Sequence, residues 1–180
     1  MYFLWFLIVL GVVFLDQATK ILTVMFLKTV DTVPLWEGVL HLTYVENDGA
    51  AFGMLDDARW VFLIVSTLAI VGLGGYMIWK RPKNKLLCVA LTFLLGGGIG
   101  NMIDRVALGY VVDMIDFRLI NFAVFNVADA FVCVGSGLLM LYIIMDMVKE
   151  YRKEKAVASA GAETHTDESS PDDRCDDAEE

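Results

Sequence analysis

Long apolar runs alternate with short polar breaks along this chain. Four runs stand out, at residues 3–27, 60–79, 86–103 and 123–145. Each is near the 17–25 residues that a helix needs to cross a bilayer. The first run could be a cleaved leader, but no basic segment precedes it and it carries Asp16 and Lys20, so it is expected to stay as a helix. Residues 28–59 are too long for a turn and are not apolar throughout. Within them, residues 39–45 (Val-Leu-His-Leu-Thr-Tyr-Val) are rich in β-branched and aromatic side chains, which predicts a short strand or hairpin. The pattern predicts an all-α integral membrane protein. It has four transmembrane helices and a small extracytoplasmic β or amphipathic segment between the first two. Trp36 and Trp60 suit the membrane–water interface.

Composition sharpens this picture. The chain has 180 residues, 57% of them hydrophobic, with a mean hydropathy of +0.60. An ordinary soluble domain does not have that composition. The net charge of −9 is concentrated at one end: residues 156–180 hold nine acidic side chains and one basic one. They cannot bury enough apolar surface to fold and are expected to form a disordered tail. The expected division is a membrane domain over residues 1–150 and an acidic cytoplasmic tail over 151–180. No basic stripe suggests a nucleic-acid partner. Cys88, Cys133 and Cys175 are too irregularly spaced for a disulfide framework or a zinc knuckle, and the first two are expected to be inert core residues.

Lysine and arginine set the orientation. The break at 80–85 carries Lys80, Arg81, Lys83 and Lys85 with no acid, and the fourth run is followed by Lys149, Arg152, Lys153 and Lys155. Residues 28–59 hold only Lys28 and Arg59, and residues 104–122 only Arg105 and Arg118. Both termini are therefore expected in the cytoplasm. With this topology the polar residues of the spans converge at one depth near the outer face. Asp16 and Lys20 lie in the outer half of the first run, Asn101, Asp104 and Arg105 end the third, and Asn126 and Asp129 begin the fourth. Asp113 and Asp116 lie in the connection between the last two. Ionisable groups at membrane depth cost several kcal/mol unless paired or hydrated, so several at one level suggest one site.

Most of these spacings also have an ordinary structural explanation. Asp16 and Lys20 are i,i+4 with the acid first, the favoured order for a helix ion pair. Asn101, Asp104 and Arg105 share a face and could form a helix-end network. Asn126 could cap the fourth helix, which leaves Asp129 unexplained. Gly96, Gly97, Gly98 and Gly100 on the third run, with Gly135 and Gly137 on the fourth, suit close helix packing. Several chemistries are excluded. His41 and His165 lie outside the spans, so a Ser-His-Asp arrangement lacks its histidine, and Gly135-Ser136-Gly137 does not have the serine order of a rhomboid protease. No His-Glu-x-x-His motif exists for a zinc peptidase, and no Gly-x-Gly-Asp motif is present. Two aspartates sharing a proton and activating a water between them remain possible.

Five blocks, in order, carry a resemblance. They are Asp16-Gln17-Ala18-Thr19-Lys20; Asn47-Asp48-Gly49-Ala50-Ala51-Phe52; Gly97-Gly98-Ile99-Gly100-Asn101-Met102-Ile103-Asp104-Arg105; Val111-Val112-Asp113-Met114-Ile115-Asp116-Phe117; and Phe125-Asn126-Val127-Ala128-Asp129. Over residues 1 to about 150 the chain resembles the lipoprotein signal peptidase (signal peptidase II) family of intramembrane aspartyl proteases. The resemblance implies a catalytic dyad of Asp113 and Asp129. It implies supporting or substrate-binding roles for Asp16, Lys20, Asn47, Gly49, Asn101, Asp104, Arg105 and Asn126. It implies a bacterial inner-membrane enzyme that needs no metal or other cofactor and cleaves diacylglyceryl-modified prolipoproteins just before the lipidated cysteine. It also implies inhibition by the cyclic peptide globomycin. Asp104, Asp113 and Asp116 compete for the first dyad position. Arg105 beside Asp104 suits a permanently charged scaffold, Asp116 is expected to face elsewhere, and Val111-Val112 supply Asp113 with the apolar setting a shared proton needs. Two other classes compete with an enzyme: a cation-coupled transporter subunit and an assembly factor. Carboxylates gathered at one face, instead of strung across the membrane, argue against a relay.

Overall fold

The computed structural model describes residues 2–49 and 59–166. The elements run α1 (Tyr2–Leu27), β1 (Thr32–Trp36), β2 (Leu40–Asn47), α2 (Arg59–Lys80), α3 (Lys85–Ala107), β3 (Val111–Phe117), a 3-10 turn (Arg118–Ile120) and α4 (Val127–Thr166). All four helices are long and apolar enough to cross a membrane. Phe3, Phe6, Phe14, Met25 and Phe26 on α1, and Val65, Leu68, Val71 and Ile78 on α2, are exposed. Rows of large apolar side chains facing outward suit hydrocarbon as the solvent and would be untenable in water.

The chain forms two compact units, Met1–Met140 and Leu141–Glu180. The sequence reading placed the boundary at residue 150 and disorder after it. In the structure α4 continues to Thr166, and residues 167–180 lie outside the described residues. The helix persists because residues 150–162 are rich in alanine, glutamate and lysine, the strongest helix formers, with no proline to stop it. Low hydrophobicity does not by itself end a helix that has already nucleated.

The expected hairpin is present, and it gains a strand. β1 and β2 pair antiparallel around a turn in which Gly38 takes φ +71°, a conformation that favours glycine. β3, from the connection between α3 and α4, pairs antiparallel with the other side of β2, giving the order β1-β2-β3. The apolar-run pattern missed β3 because Val111-Val112-Asp113-Met114-Ile115-Asp116-Phe117 does not alternate. It is nearly all buried, covered on both faces as a half-solvated strand would not be. Phe125 adds a bridge to Ile115, with backbone bonds of 2.8 and 3.1 Å. The fourth apolar run therefore begins as extended chain, and its helix starts only at Val127.

Small residues bring the helices together. A Cβ on Gly97 would lie 2.5 Å from the Ala128 carbonyl oxygen and 2.7 Å from Val132, and one on Gly96 would lie 2.7 Å from Val12. A Cβ on Gly100 would lie 2.5 Å from an Asp16 carboxylate oxygen. α3 thus touches α1 and the first turns of α4 at backbone distance. Gly135 serves the same packing, 3.0 Å from the Ala90 carbonyl, but Gly137 faces nothing within 4 Å. Gly97→Ala is expected to destabilise the protein by about 1–3 kcal/mol, the usual cost of overpacking. Gly137→Ala should leave stability unchanged. Thermal unfolding of the two variants in one detergent checks the contrast.

Candidate active site

Six segments that the sequence separates meet at one end of the bundle: the middle of α1, the end of β2, the last turns of α3, the centre of β3, residues 125–126 and the first turn of α4. Their meeting begins with Asp16. It has no exposed surface although it sits in the middle of an apolar helix. One of its oxygens accepts from the Ala128 backbone N–H at 2.9 Å, and the other pairs with Lys20 at 3.0 Å. The Ala128 N–H belongs to the first turn of α4, where helix N–H groups lack partners and the helix dipole favours an anion. Lys20 also pairs with Asp104 at 3.0 Å and donates to the Asn101 side-chain oxygen at 2.9 Å.

Asp104 is paired, but not with Arg105. Adjacent helix residues point in different directions, so Asp104 faces α1. There it also accepts from Gln17 at 2.9 Å and from the Val112 backbone N–H at 3.1 Å. Arg105 instead donates to the Gly49 carbonyl at 3.3 Å and lies 4.9 Å from the centre of the Phe62 ring on α2. Gln17 had no role in the sequence reading. Its amide donates to Asp16, Asp104 and the Gly100 carbonyl. Its place in the chain, one residue after a buried acid, gave only a weak signal.

Asp113 and Asp129 come together at the other end of this network, both in contact with Asn126. Each of their four carboxylate oxygens accepts an N–H. Asp113 receives the side-chain amides of Asn126 at 2.6 Å and Asn47 at 2.8 Å. Asp129 receives the Asn101 amide at 2.7 Å and the Asn126 backbone N–H at 3.2 Å. Asn126 in turn accepts the Asp129 backbone N–H at 2.9 Å. That reciprocal pair is a capping box on α4. The cap thus accounts for Asp129 as well as Asn126, and one oxygen of Asp129 is engaged in it. Asn47 is held by its own turn, accepting from the Gly49 N–H at 3.1 Å.

The two acids of β3 divide as strand alternation requires. Asp113 faces the helices and is 1% exposed. Burial pushes its carboxyl up to about 6, and the nearby charge of Asp129 acts in the same direction, while the amides of Asn47 and Asn126 and the Lys20 charge oppose. Asp116 faces the other way. Burial would raise it too, but bonds from Arg118 at 2.9 Å and Thr43 at 2.8 Å prevail and hold it below the usual range.

Beside Asp129 opens a cavity of about 720 Å³. Asn47, Gly49, Asn101, Arg105 and Asp129 form its polar end, and Phe62, Ile70, Leu73, Leu94 and Val134 line its apolar body. Cys133 also lines it and is exposed, so it is not the core residue expected from its apolar neighbours. It lies one helical turn beyond Asp129, on the same face. Cys88 is buried as expected. Gly49 reaches the site, whereas Ala50, Ala51 and Phe52 of the same block lie outside the described residues. No cluster of three or more metal-ligating side chains occurs among the described residues.

Four membrane-crossing helices around a buried, polar, two-carboxylate centre define a multi-pass membrane protein with an active-site-like cavity at one end of the bundle. The model of the family described as signal peptidase (SPase) II matches residues 8–145, and the chain belongs to that family. A lipoprotein signal peptidase of Caldanaerobacter subterraneus is 50% identical over 138 residues, covering 75% of this chain and 94% of that protein. One of Clostridioides difficile is 45% identical over 141 residues, covering 78% and 95%. Two solved structures, both bacterial membrane enzymes determined by the in meso method at 2.3 and 1.9 Å resolution, superpose with TM-scores of 0.72 and 0.71. They are 32% and 33% identical, and the match covers 79% of this chain and 88% and 93% of theirs.

The ion cluster yields a stability prediction. Lys20→Met leaves Asp16 and Asp104 buried without their cation and is expected to cost about 3–5 kcal/mol. Adding Asp104→Asn to it should restore part of that loss. Both are read as unfolding midpoints in detergent.

Proposed function

We propose that this protein is an intramembrane aspartic endopeptidase that removes signal peptides from diacylglyceryl-modified prolipoproteins, cutting just before the lipidated cysteine. The observation that carries this reading is the Asp113–Asp129 pair, both residues held by Asn126, with Asp129 lining a largely apolar cavity. The family and its lipoprotein signal peptidase relatives supply the substrate class.

The environments of the two acids support a division of roles. Asp113 is buried and holds the shared proton. Asp129, in the first turn of α4 with an N–H on each oxygen, is the carboxylate. A water between them loses a proton to Asp129 as it attacks the scissile carbonyl, while Asp113 donates its proton to the carbonyl oxygen. Collapse of the tetrahedral diol breaks the C–N bond: the departing amine takes the proton that Asp129 received, and one diol hydroxyl returns its proton to Asp113, which leaves the acid product and the dyad as it began. The apolar body of the cavity receives apolar parts of the precursor and excludes bulk water. Globomycin is expected to compete for the same space.

Asp113→Asn and Asp129→Asn should each lower kcat by more than about a thousandfold, roughly 4 kcal/mol of barrier, and the double variant should be little worse than either. The assay is cleavage of a lipidated precursor peptide in detergent without added metal. If both single variants cleave at near wild-type rates, this mechanism is wrong.

The dyad works with one proton, so kcat/KM should be bell-shaped in pH. Asp113 loses its proton as pH rises through about 6, so the alkaline limb for the free enzyme falls there. Bound substrate deepens the desolvation, so the alkaline limb of kcat should lie at higher pH.

The site's placement rests on orientation: we place both termini in the cytoplasm and the site near the outer face of the bacterial inner membrane. Alkaline phosphatase fused after Lys83 or Lys155 should be inactive and after Asp57 active. Activity at Lys83 would invert the topology.

A further inference from the structure

Three asparagine amides deliver N–H groups to the dyad, and each is oriented by a group that can only donate. A carboxamide seen by shape alone could sit either way round. An obligate donor removes that freedom, because only the amide oxygen can face it. For Asn47 the donor is the Gly49 backbone N–H at 3.1 Å, and for Asn126 it is the Asp129 backbone N–H at 2.9 Å. For Asn101 it is the Lys20 ammonium at 2.9 Å. Lys20 is therefore the one side chain among the three.

We propose that Lys20 is a positioning residue of the reaction: by fixing the Asn101 carboxamide it aims the Asn101 N–H at Asp129 and keeps that residue a carboxylate. This rests on the dyad reading above and goes beyond a supporting ion pair. With the ammonium present, the Asn101 oxygen faces Lys20 and also accepts from the Asn126 amide at 3.0 Å, so its nitrogen has Asp129 as its acceptor, 2.7 Å away. Without the ammonium, only the Asn126 amide, which also serves Asp113, still holds that oxygen, and the Asn101 amide turns more readily to set its oxygen against Asp129. Two acceptors then face each other, and protonation of Asp129 relieves the conflict. The position of α1 is read out in the protonation of a residue on α4. The other charged groups around Asp129 are Arg105 on α3 and Asp113 on β3, and neither touches the Asn101 oxygen.

The test measures kcat and kcat/KM against pH for the full chain in detergent with a lipidated precursor peptide. Lys20→Met combined with Asp104→Asn removes one cation and one anion together, so the net charge of the buried cluster is unchanged. Its kcat should fall about 10- to 100-fold with KM within about twofold, and the acidic limb of kcat/KM should move up by about one pH unit, as loss of an N–H donor to a carboxylate requires. Asn101→Leu, which leaves the ion cluster whole, should move the acidic limb in the same direction. Lys20→Arg retains a donor and should keep the limb at its wild-type position. An unmoved limb in the folded double variant, or in Asn101→Leu, overturns the proposal. If the double variant does not fold, Asn101→Leu and Lys20→Arg decide it. The dyad reading is judged separately. Inactive Asp113→Asn and Asp129→Asn with an unmoved limb reject only the role of Lys20, whereas active dyad variants reject the mechanism on which that role depends.

Discussion

A single carboxylate buried in the middle of an apolar helix organises this molecule. Asp16 has no exposed surface, and its two oxygens hold different elements: one accepts from the first turn of α4, the other is paired with Lys20. In hydrocarbon neither group could be left without a partner, because each unsatisfied charge or N–H costs several kcal/mol. The pair therefore pins α1 against α4, and Lys20 extends the link to α3 through Asp104 and Asn101.

That link needs close approach, which accounts for the glycines of α3. A methyl group at Gly97 or Gly100 would fall on the Ala128 carbonyl or on the Asp16 carboxylate. Lipid tails are as apolar as leucine, so the bundle gains little by hiding apolar surface and depends on backbone contact and polar bonds. Charge and packing are one constraint here: the helices must touch for the carboxylate to reach its N–H, and they can touch because side chains are missing at the crossing.

The proposed dyad sits where this frame meets the sheet. β3 brings Asp113 to the helix ends, and the capping box of α4 brings Asp129 beside it. The resulting centre separates two kinds of acid. Asp16 and Asp104 are paired with a cation, whereas Asp113 and Asp129 receive only neutral N–H donors on each oxygen. Neutral donors fix the geometry of a carboxyl group without supplying the full positive charge that would hold it ionised. The proposed mechanism, in which the pair gains and loses a proton, calls for that arrangement.

The sequence by itself determined the four helices, the hairpin and the set of polar residues at one depth, because apolar length and charge placement are one-dimensional quantities. It also expected Asp116 to face away from Asp113, but the reason came with the structure: both lie on β3, where residues three apart fall on opposite faces. It did not determine who pairs with whom. Asp104 follows the cation before it in the bundle, Lys20, and not the one beside it in the chain, because adjacent helical side chains diverge. Gln17, β3 as a third strand, the exposure of Cys133 on the cavity wall and the reciprocal cap of Asp129 were likewise decided only by tertiary structure. Each depends on the distance between groups that the chain holds far apart, and no local pattern carries that distance. The helical run to Thr166 is the opposite case. Alanine, glutamate and lysine favoured it locally, and weighing only hydrophobicity hid it.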